Sequence, residues 1–238
     1  MITEPRPVEH EEAGTRFESL IVAPQGAEAR PAVLIFPTIM GRSDLELGFA
    51  RRLAAAGHAA MVADLYGREN IGRSREECRT LMDALRADRP ALQARLLHAL
   101  DVLRDQREVD PDRVAAIGYC FGGLCALDLA RTGADLNGVA SFHGILTPPG
   151  NLDGVRIAAR VIAFHGWDDP LAPPADVTAL GEELTRAGAD WQLHAYGHTA
   201  HGFTNPGAND PDRGLLYNPA AEARSWKSLM LFLDEIFG

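Results

Sequence analysis

Short runs that are apolar at every position alternate along this chain with longer amphipathic stretches, and that alternation limits the folds open to it. Residues 32–36, 59–63, 113–117, 138–142 and 160–164 read as buried strands, with further strands at 17–22 and 191–196. Helical periodicity marks 45–56, 75–87, 91–106, 121–131, 175–187 and 220–237. Ser43 or Asp44 is the expected N-cap of the first helix and Gly57 its stop, while Pro90 separates the second helix from the third. A strand with no polar side needs cover on both faces. The pattern therefore predicts an α/β fold, a mainly parallel sheet with helices on both faces. Reactive groups in such sheets sit past the carboxyl ends of the strands. Composition does not shift along the chain and no long insertion looks like a cap, so residues 1–238 read as one domain without a lid.

Charge and cysteine content narrow the partners. Lys and Arg number 23 against 33 Asp and Glu, a net charge of −10, which argues against nucleic acid and against an anionic membrane surface. No apolar run approaches the roughly 18 residues of a membrane span. The first 14 residues are acidic and hold Pro5 and Pro7, unlike a secretory leader. Three cysteines, Cys78, Cys120 and Cys125, cannot frame a disulfide scaffold in a chain of 238 residues. The expected location is a reducing one, the cytoplasm.

The sharpest local signal is Gly118-Tyr119-Cys120-Phe121-Gly122-Gly123, which follows the strand at 113–117 and opens the helix at 121–131. It is a G-x-nucleophile-x-G elbow with cysteine in the nucleophile's place. The strand-to-helix turn is so tight that positions −2 and +2 must be small. The thiol then projects above the sheet beside the N–H of Phe121, and a helix N-terminus favours its thiolate. Cys78 and Cys125 fall within helices and read as packing residues. Two further loops follow strand ends, His165-Gly166-Trp167-Asp168-Asp169-Pro170 and His198-Thr199-Ala200-His201-Gly202-Phe203. The order nucleophile, acid, histidine is the one that accompanies this elbow. His201 would take the thiol proton, and Asp168 or Asp169 would fix its tautomer. His143 and His165, both in Phe-His-Gly contexts, read as satisfied structural residues. The second oxyanion donor is expected in Pro37-Thr38-Ile39-Met40-Gly41, at the N–H of Ile39.

Taken together, Ala63-Asp64-Leu65-Tyr66-Gly67, the cysteine elbow, Asp169-Pro170-Leu171-Ala172-Pro173 and His201-Gly202-Phe203 resemble the dienelactone hydrolase family of α/β-hydrolases, from about residue 17 to 237. The resemblance implies a Cys-His-Asp triad of Cys120, His201 and Asp169, selecting Asp169 over Asp168 and His201 over His198. It implies hydrolysis of a small ester or lactone through an acyl-thiol intermediate, with no cofactor. Tyr66 and Phe203 would line the substrate pocket. The family's glutamate beside the oxyanion donor is replaced by Thr38, so His201 has to act directly. Of the arginines that hold the substrate carboxylate in the family, one position carries Asn205 here, and Arg75 is the nearest match to the other.

Three rival readings are weaker. His194, His198 and His201 could supply imidazoles to a metal, with Asp168 or Asp169 adding a carboxylate. That leaves the elbow unexplained, and strand alternation at His194 works against it. Gly118 and Gly123 have Walker spacing, but Leu124-Cys125 follows where Lys and Ser or Thr are required. A non-catalytic binding protein on the same fold is the third.

Overall fold

The computed structural model describes residues 1–26 and 28–238. These fall into two compact units, Met1–Ala116 and Ile117–Gly238.

The first unit opens with a hairpin of β1 (Arg6–Glu12) and β2 (Thr15–Val22), turned by Ala13 and Gly14, both at positive φ. Next come β3 (Arg30–Phe36), α1 (Asp44–Ala55), β4 (Ala59–Val62), α2 (Arg75–Ala87) and α3 (Arg89–Arg104). From Ala32 to Phe36 every β3 side chain is fully buried, as a strand covered on both faces requires. Ser43 is the N-cap of α1 and Ser74 that of α2. Each forms a capping box with the glutamate three residues on, Glu46 and Glu77. Pro90 does not break a helix. It occupies the first turn of α3, where its missing N–H costs nothing.

Sequence patterning did not reveal β1. Its side chains are mostly polar and only Val8 is buried, because β1 is an edge strand. It is anchored by His10, whose Nδ1 lies 3.1 Å from His98 Nε2 on α3 and whose Nε2 lies 3.0 Å from Ser19 Oγ on β2. Burial, and then the neighbouring His98, pull the His10 pKa down to about 4. In the unfolded chain the imidazole titrates near 6.5, so the unfolded state binds the extra proton first. Stability is therefore expected to fall as pH drops from about 6.5 towards 4. The loss is on the order of 1–2 kcal/mol once solvent screening at this half-buried site is allowed for. Urea midpoints across that range check it, and His10→Gln should flatten the slope.

β5 (Val109–Tyr119) runs through the boundary between the units. The second unit continues with α4 (Phe121–Arg131), β6 (Gly138–Phe142), β7 (Arg160–Gly166), α5 (Pro174–Arg186) and β8 (Trp191–Tyr196). A two-residue ladder of β9 (Asn209–Asp210) and β10 (Leu215–Leu216) precedes α6 (Pro219–Phe237). The β9–β10 ladder lies in a stretch that reads as irregular in the sequence. Helix α4 is buried along its whole length, including Arg131. That guanidinium is satisfied by a two-point bond to Glu183 of α5 at 2.7 and 2.8 Å, by Asp128 at 3.1 Å and by the Leu146 carbonyl at 2.9 Å. A buried cation held by fully matched acceptors is tolerable; a lone one is not.

The eight long strands form one sheet in the order β1-β2-β4-β3-β5-β6-β7-β8. β2 is antiparallel to β1 and β4, while β3 with β4, β6 with β7 and β7 with β8 are parallel. Among the described residues there is no cap domain, and no helix is long and apolar enough to cross a membrane.

Candidate active site

Cys120 stands between the end of β5 and the first residue of α4, with φ 57° and ψ −114°. A side chain bearing Cβ rarely occupies this region, and the surroundings hold it there. Its N–H donates to the Phe142 carbonyl at the end of β6 (3.0 Å), and its carbonyl accepts from Gly123 (3.0 Å) and Leu124 (3.3 Å) in the first turn of α4. Gly118 has to be glycine, since a Cβ there would lie 1.8 Å from the Gly122 carbonyl oxygen. The result is a half-buried sulfur at a helix N-terminus. Phe121 opens α4, and its N–H points out of the helix's first turn.

The two other loops of the second unit are laced together at the carboxyl ends of β7 and β8. Gly166 ends β7, and a Cβ on it would meet the carbonyl oxygens of Thr199 and Ala200 at 2.5 and 2.7 Å. The Asp168 N–H donates to the Thr199 carbonyl at 3.0 Å. Within this seam His201 Nδ1 lies 2.8 Å from Asp169 Oδ2, both side chains being almost fully enclosed. Asp169 Oδ1 accepts the Leu171 N–H at 2.8 Å, which fixes the carboxylate's rotation. The His201 backbone is clamped on both sides, donating to Gly214 O (2.8 Å) and accepting from the Leu216 N–H (3.0 Å). Burial pulls the His201 pKa down, but the Cys120 charge and the Asp169 carboxylate outweigh it and push it up to about 10. Cys120 acts on His201 both as a neighbouring charge and as a hydrogen-bond partner.

In the first unit the turn after β3 is built by main-chain bonds. The Thr38 N–H donates to Glu46 Oε1 at 3.0 Å, while the Gly41 N–H donates to the Thr38 carbonyl at 3.0 Å. The Tyr66 hydroxyl donates to the Ile39 carbonyl at 3.0 Å. Tyr66 is itself set by Asp64, whose carboxylate accepts the N–H groups of Glu18, Tyr66 and Gly67. Burial raises the Asp64 pKa, and these donors oppose that rise. The Asp-Leu-Tyr-Gly sequence is thus a turn whose tyrosine braces the loop at residues 37–41.

The dienelactone hydrolase family profile matches residues 17–237. This chain belongs to the dienelactone hydrolase family. A solved structure described as m3DLH shares 40% identity and covers 100% of this chain and 99% of its own, with a TM-score of 0.93. A dienelactone hydrolase-like promiscuous phosphotriesterase, P91, from metagenomic libraries shares 38% identity over 100% of this chain and 99% of its own, with a TM-score of 0.94. A probable 2-oxo-3-(5-oxofuran-2-ylidene)propanoate lactonase of Bradyrhizobium is 26% identical, covering 98% of this chain and 96% of that protein. The fold is that of the α/β-hydrolases, and the chain is an ester or lactone hydrolase.

Other expected site residues occupy varied settings in this family member. Arg75 is exposed at the first position of α2. Asn205 is half-buried and turns its side chain on its own loop, accepting the Gly207 N–H at 2.8 Å. Phe203, expected to line the pocket, is fully enclosed, with its ring edge-on to His143 and Tyr196. The three-histidine metal reading is not supported by the geometry. His194 packs its ring edge on Phe164, His198 is fully exposed near Asp168 (3.9 Å), and among the described residues no three ligand side chains group together. His165 is not a satisfied structural residue, since both of its ring nitrogens are buried without a partner. Glu46, which ties the turn after β3 to α1, was missed as a site residue, although Ser43-x-x-Glu46 is a legible capping box.

The elbow predicts a sharp contrast between two glycines. Gly118→Ala drives Cβ into main chain that cannot yield without opening α4, and is expected to cost more than about 4 kcal/mol. Gly48→Ala, in α1 with nothing within 4 Å of the new carbon, should stabilise by about 0.5–1 kcal/mol. Thermal unfolding of the two variants should therefore shift in opposite directions.

Proposed function

We propose that this chain cleaves small esters or lactones by attack of Cys120, with His201 as proton carrier and Asp169 as its orienting acid. The observation that carries the reading is the strained cysteine at the strand-to-helix turn, acting on a histidine whose far nitrogen is bonded to a buried carboxylate. The resting pair is thiolate and imidazolium. The sulfur lone pair forms a C–S bond to the substrate carbonyl, and the carbonyl π pair moves onto oxygen. The N–H of Phe121 and that of Ile39 are the proposed donors to that oxyanion. Collapse breaks the acyl C–O bond, and His201 gives its proton to the departing alkoxide. Neutral His201 then takes a proton from water, hydroxide adds to the thioester, and the thiolate leaves. Amides are poorer substrates, because the thiolate leaves the tetrahedral intermediate more readily than an unprotonated amine.

We also propose that the two units make one hydrolase domain, a reading supported by the family profile running through both. A reducing, cytoplasmic location is supported by Cys78, Cys120 and Cys125, none of which is in a disulfide. The substrate carboxylate clamp of the family is reduced here to Arg75, which favours small neutral acyl groups over dienelactone itself.

A single-turnover reaction with p-nitrophenyl acetate, quenched early, tests the mechanism by peptide mass spectrometry. An acetyl group on the peptide bearing Cys120 supports it. Rapid turnover with no acyl group on any cysteine would refute it. A second activity is favoured by the 38% identity to the promiscuous phosphotriesterase over the whole chain. The same thiolate would attack a phosphotriester at phosphorus, and a p-nitrophenolate burst with paraoxon checks this.

A further inference from the structure

His143 carries a cost that the proposed reaction leaves unexplained. It directly follows β6, is 2% exposed, and holds a positive φ of 37° with a full side chain. One ring nitrogen, Nε2, lies 2.8 Å from Thr204 Oγ1; the other, Nδ1, is buried with no partner. Burial, and then the charge of His201, hold its pKa well below the ordinary value, so the ring stays neutral. Its surroundings are aromatic, with Phe203 edge-on at 5.2 Å and Tyr119 at 6.1 Å. A phenylalanine would fill that space with no orphaned nitrogen and with no change in backbone strain. The imidazole has to be offset by something it does.

Its two attachments indicate what. The His143 ring stands edge-on to His201, centroids 5.0 Å apart at 70°. Its Nε2 holds Thr204, three residues along the same loop. The residue just before it, Phe142, accepts the Cys120 N–H. One strand end therefore grips both partners of the proton transfer, the nucleophile through the carbonyl of residue 142 and the base loop through the side chain of residue 143. We propose that His143 is a positioning residue, clasping the His201 loop through Thr204 and the His201 ring so that Nε2 keeps its register with Cys120. The inference rests on the reading that Cys120 and His201 carry the chemistry. Groups acting on His201 from the packed elements are Cys120, Asp169 and the neutral rings of His143 and His165.

The test uses His143→Phe, which keeps an aromatic ring and loses the bond, and Thr204→Val, which removes the bond from the other side. Both are compared with wild type and Cys120→Ala for kcat and KM on p-nitrophenyl acetate. The pH dependence of Cys120 alkylation by iodoacetamide is followed by mass spectrometry. His143→Phe is expected to lower kcat by about tenfold to a hundredfold, the scale of a small misplacement of a catalytic group, with KM within about twofold. Its alkylation midpoint should move up by about one pH unit, towards an ordinary thiol. Thr204→Val should move both in the same direction by less, and it decides the matter if His143→Phe folds poorly. Wild-type kcat and an unshifted alkylation profile in both variants, with Cys120→Ala inactive, would overturn the proposal alone. A lower kcat with an unshifted profile would also overturn it, leaving a packing role. Full activity in Cys120→Ala would overturn the parent reading and this one with it.

Discussion

Cys120→Ala is expected to reduce p-nitrophenyl acetate hydrolysis by at least about ten-thousandfold while leaving the fold in place. In the proposed mechanism this substitution removes the attacking atom and with it the two-step route, leaving only the proposed oxyanion donors and substrate binding to accelerate attack by water. The fold should survive, because Cys120 is only half-buried and the turn is held by main-chain bonds to Phe142, Gly123 and Leu124, which alanine keeps. Alanine also meets the same steric demand as cysteine at φ 57°, so backbone strain is unchanged. Cys120→Ser should also be poor despite its similar shape. A hydroxyl holds its proton far more tightly than a thiol, so the ion pair proposed for Cys120 and His201 would be lost. Initial rates and thermal midpoints measured on the same samples separate loss of chemistry from loss of structure. A rate in Cys120→Ala within tenfold of wild type would end the thiol mechanism.

Asp169→Asn comes second in expected size, with a loss of about a thousandfold to ten-thousandfold in kcat. The asparagine oxygen can still accept the Leu171 N–H, as Asp169 Oδ1 does at 2.8 Å, so the loop should keep its shape. Its amide nitrogen then faces His201 Nδ1 and donates to it. That forces the ring proton onto Nε2, the side of Cys120, and the imidazole can no longer accept a proton from the thiol. Loss of the carboxylate also lowers the His201 pKa from its present value of about 10, since one of the two charges opposing burial is gone. The sign follows directly: the imidazolium gives up its proton at lower pH, less thiolate is held at neutrality, and Cys120 alkylation should require a higher pH than in wild type. An alkylation profile identical to wild type would show that Asp169 does not act on the Cys120–His201 pair.

The parts of this protein that were legible in its sequence are those where one local rule dominates. Covered parallel strands must be apolar throughout, so β3, β4, β6 and β7 announced themselves, and Ser43 or Asp44 marked the start of α1. The elbow was readable because its glycines are dictated by contact distances inside six residues. β1 was not, since an edge strand carries charges on most positions and its pairing comes from β2. The ladder of β9 and β10 was hidden for another reason. Two-residue strands have no periodicity to detect, yet the residues around Gly214 and Leu216 hold the His201 backbone. His143 and His165 looked alike in sequence, each between phenylalanine and glycine, and only the fold separates one bonded to Thr204 from one with no bond at all.

The tether between Thr38 and Glu46 bears on how members of this family can diverge. Glu46 holds the turn after β3 by a main-chain N–H, and the Thr38 hydroxyl makes only a long 3.4 Å contact with the Met40 N–H. The backbone geometry at residue 38 is therefore guaranteed by a carboxylate that belongs to the cap of α1. The side chain at that position is released from structural duty, so substitution there leaves the turn fixed.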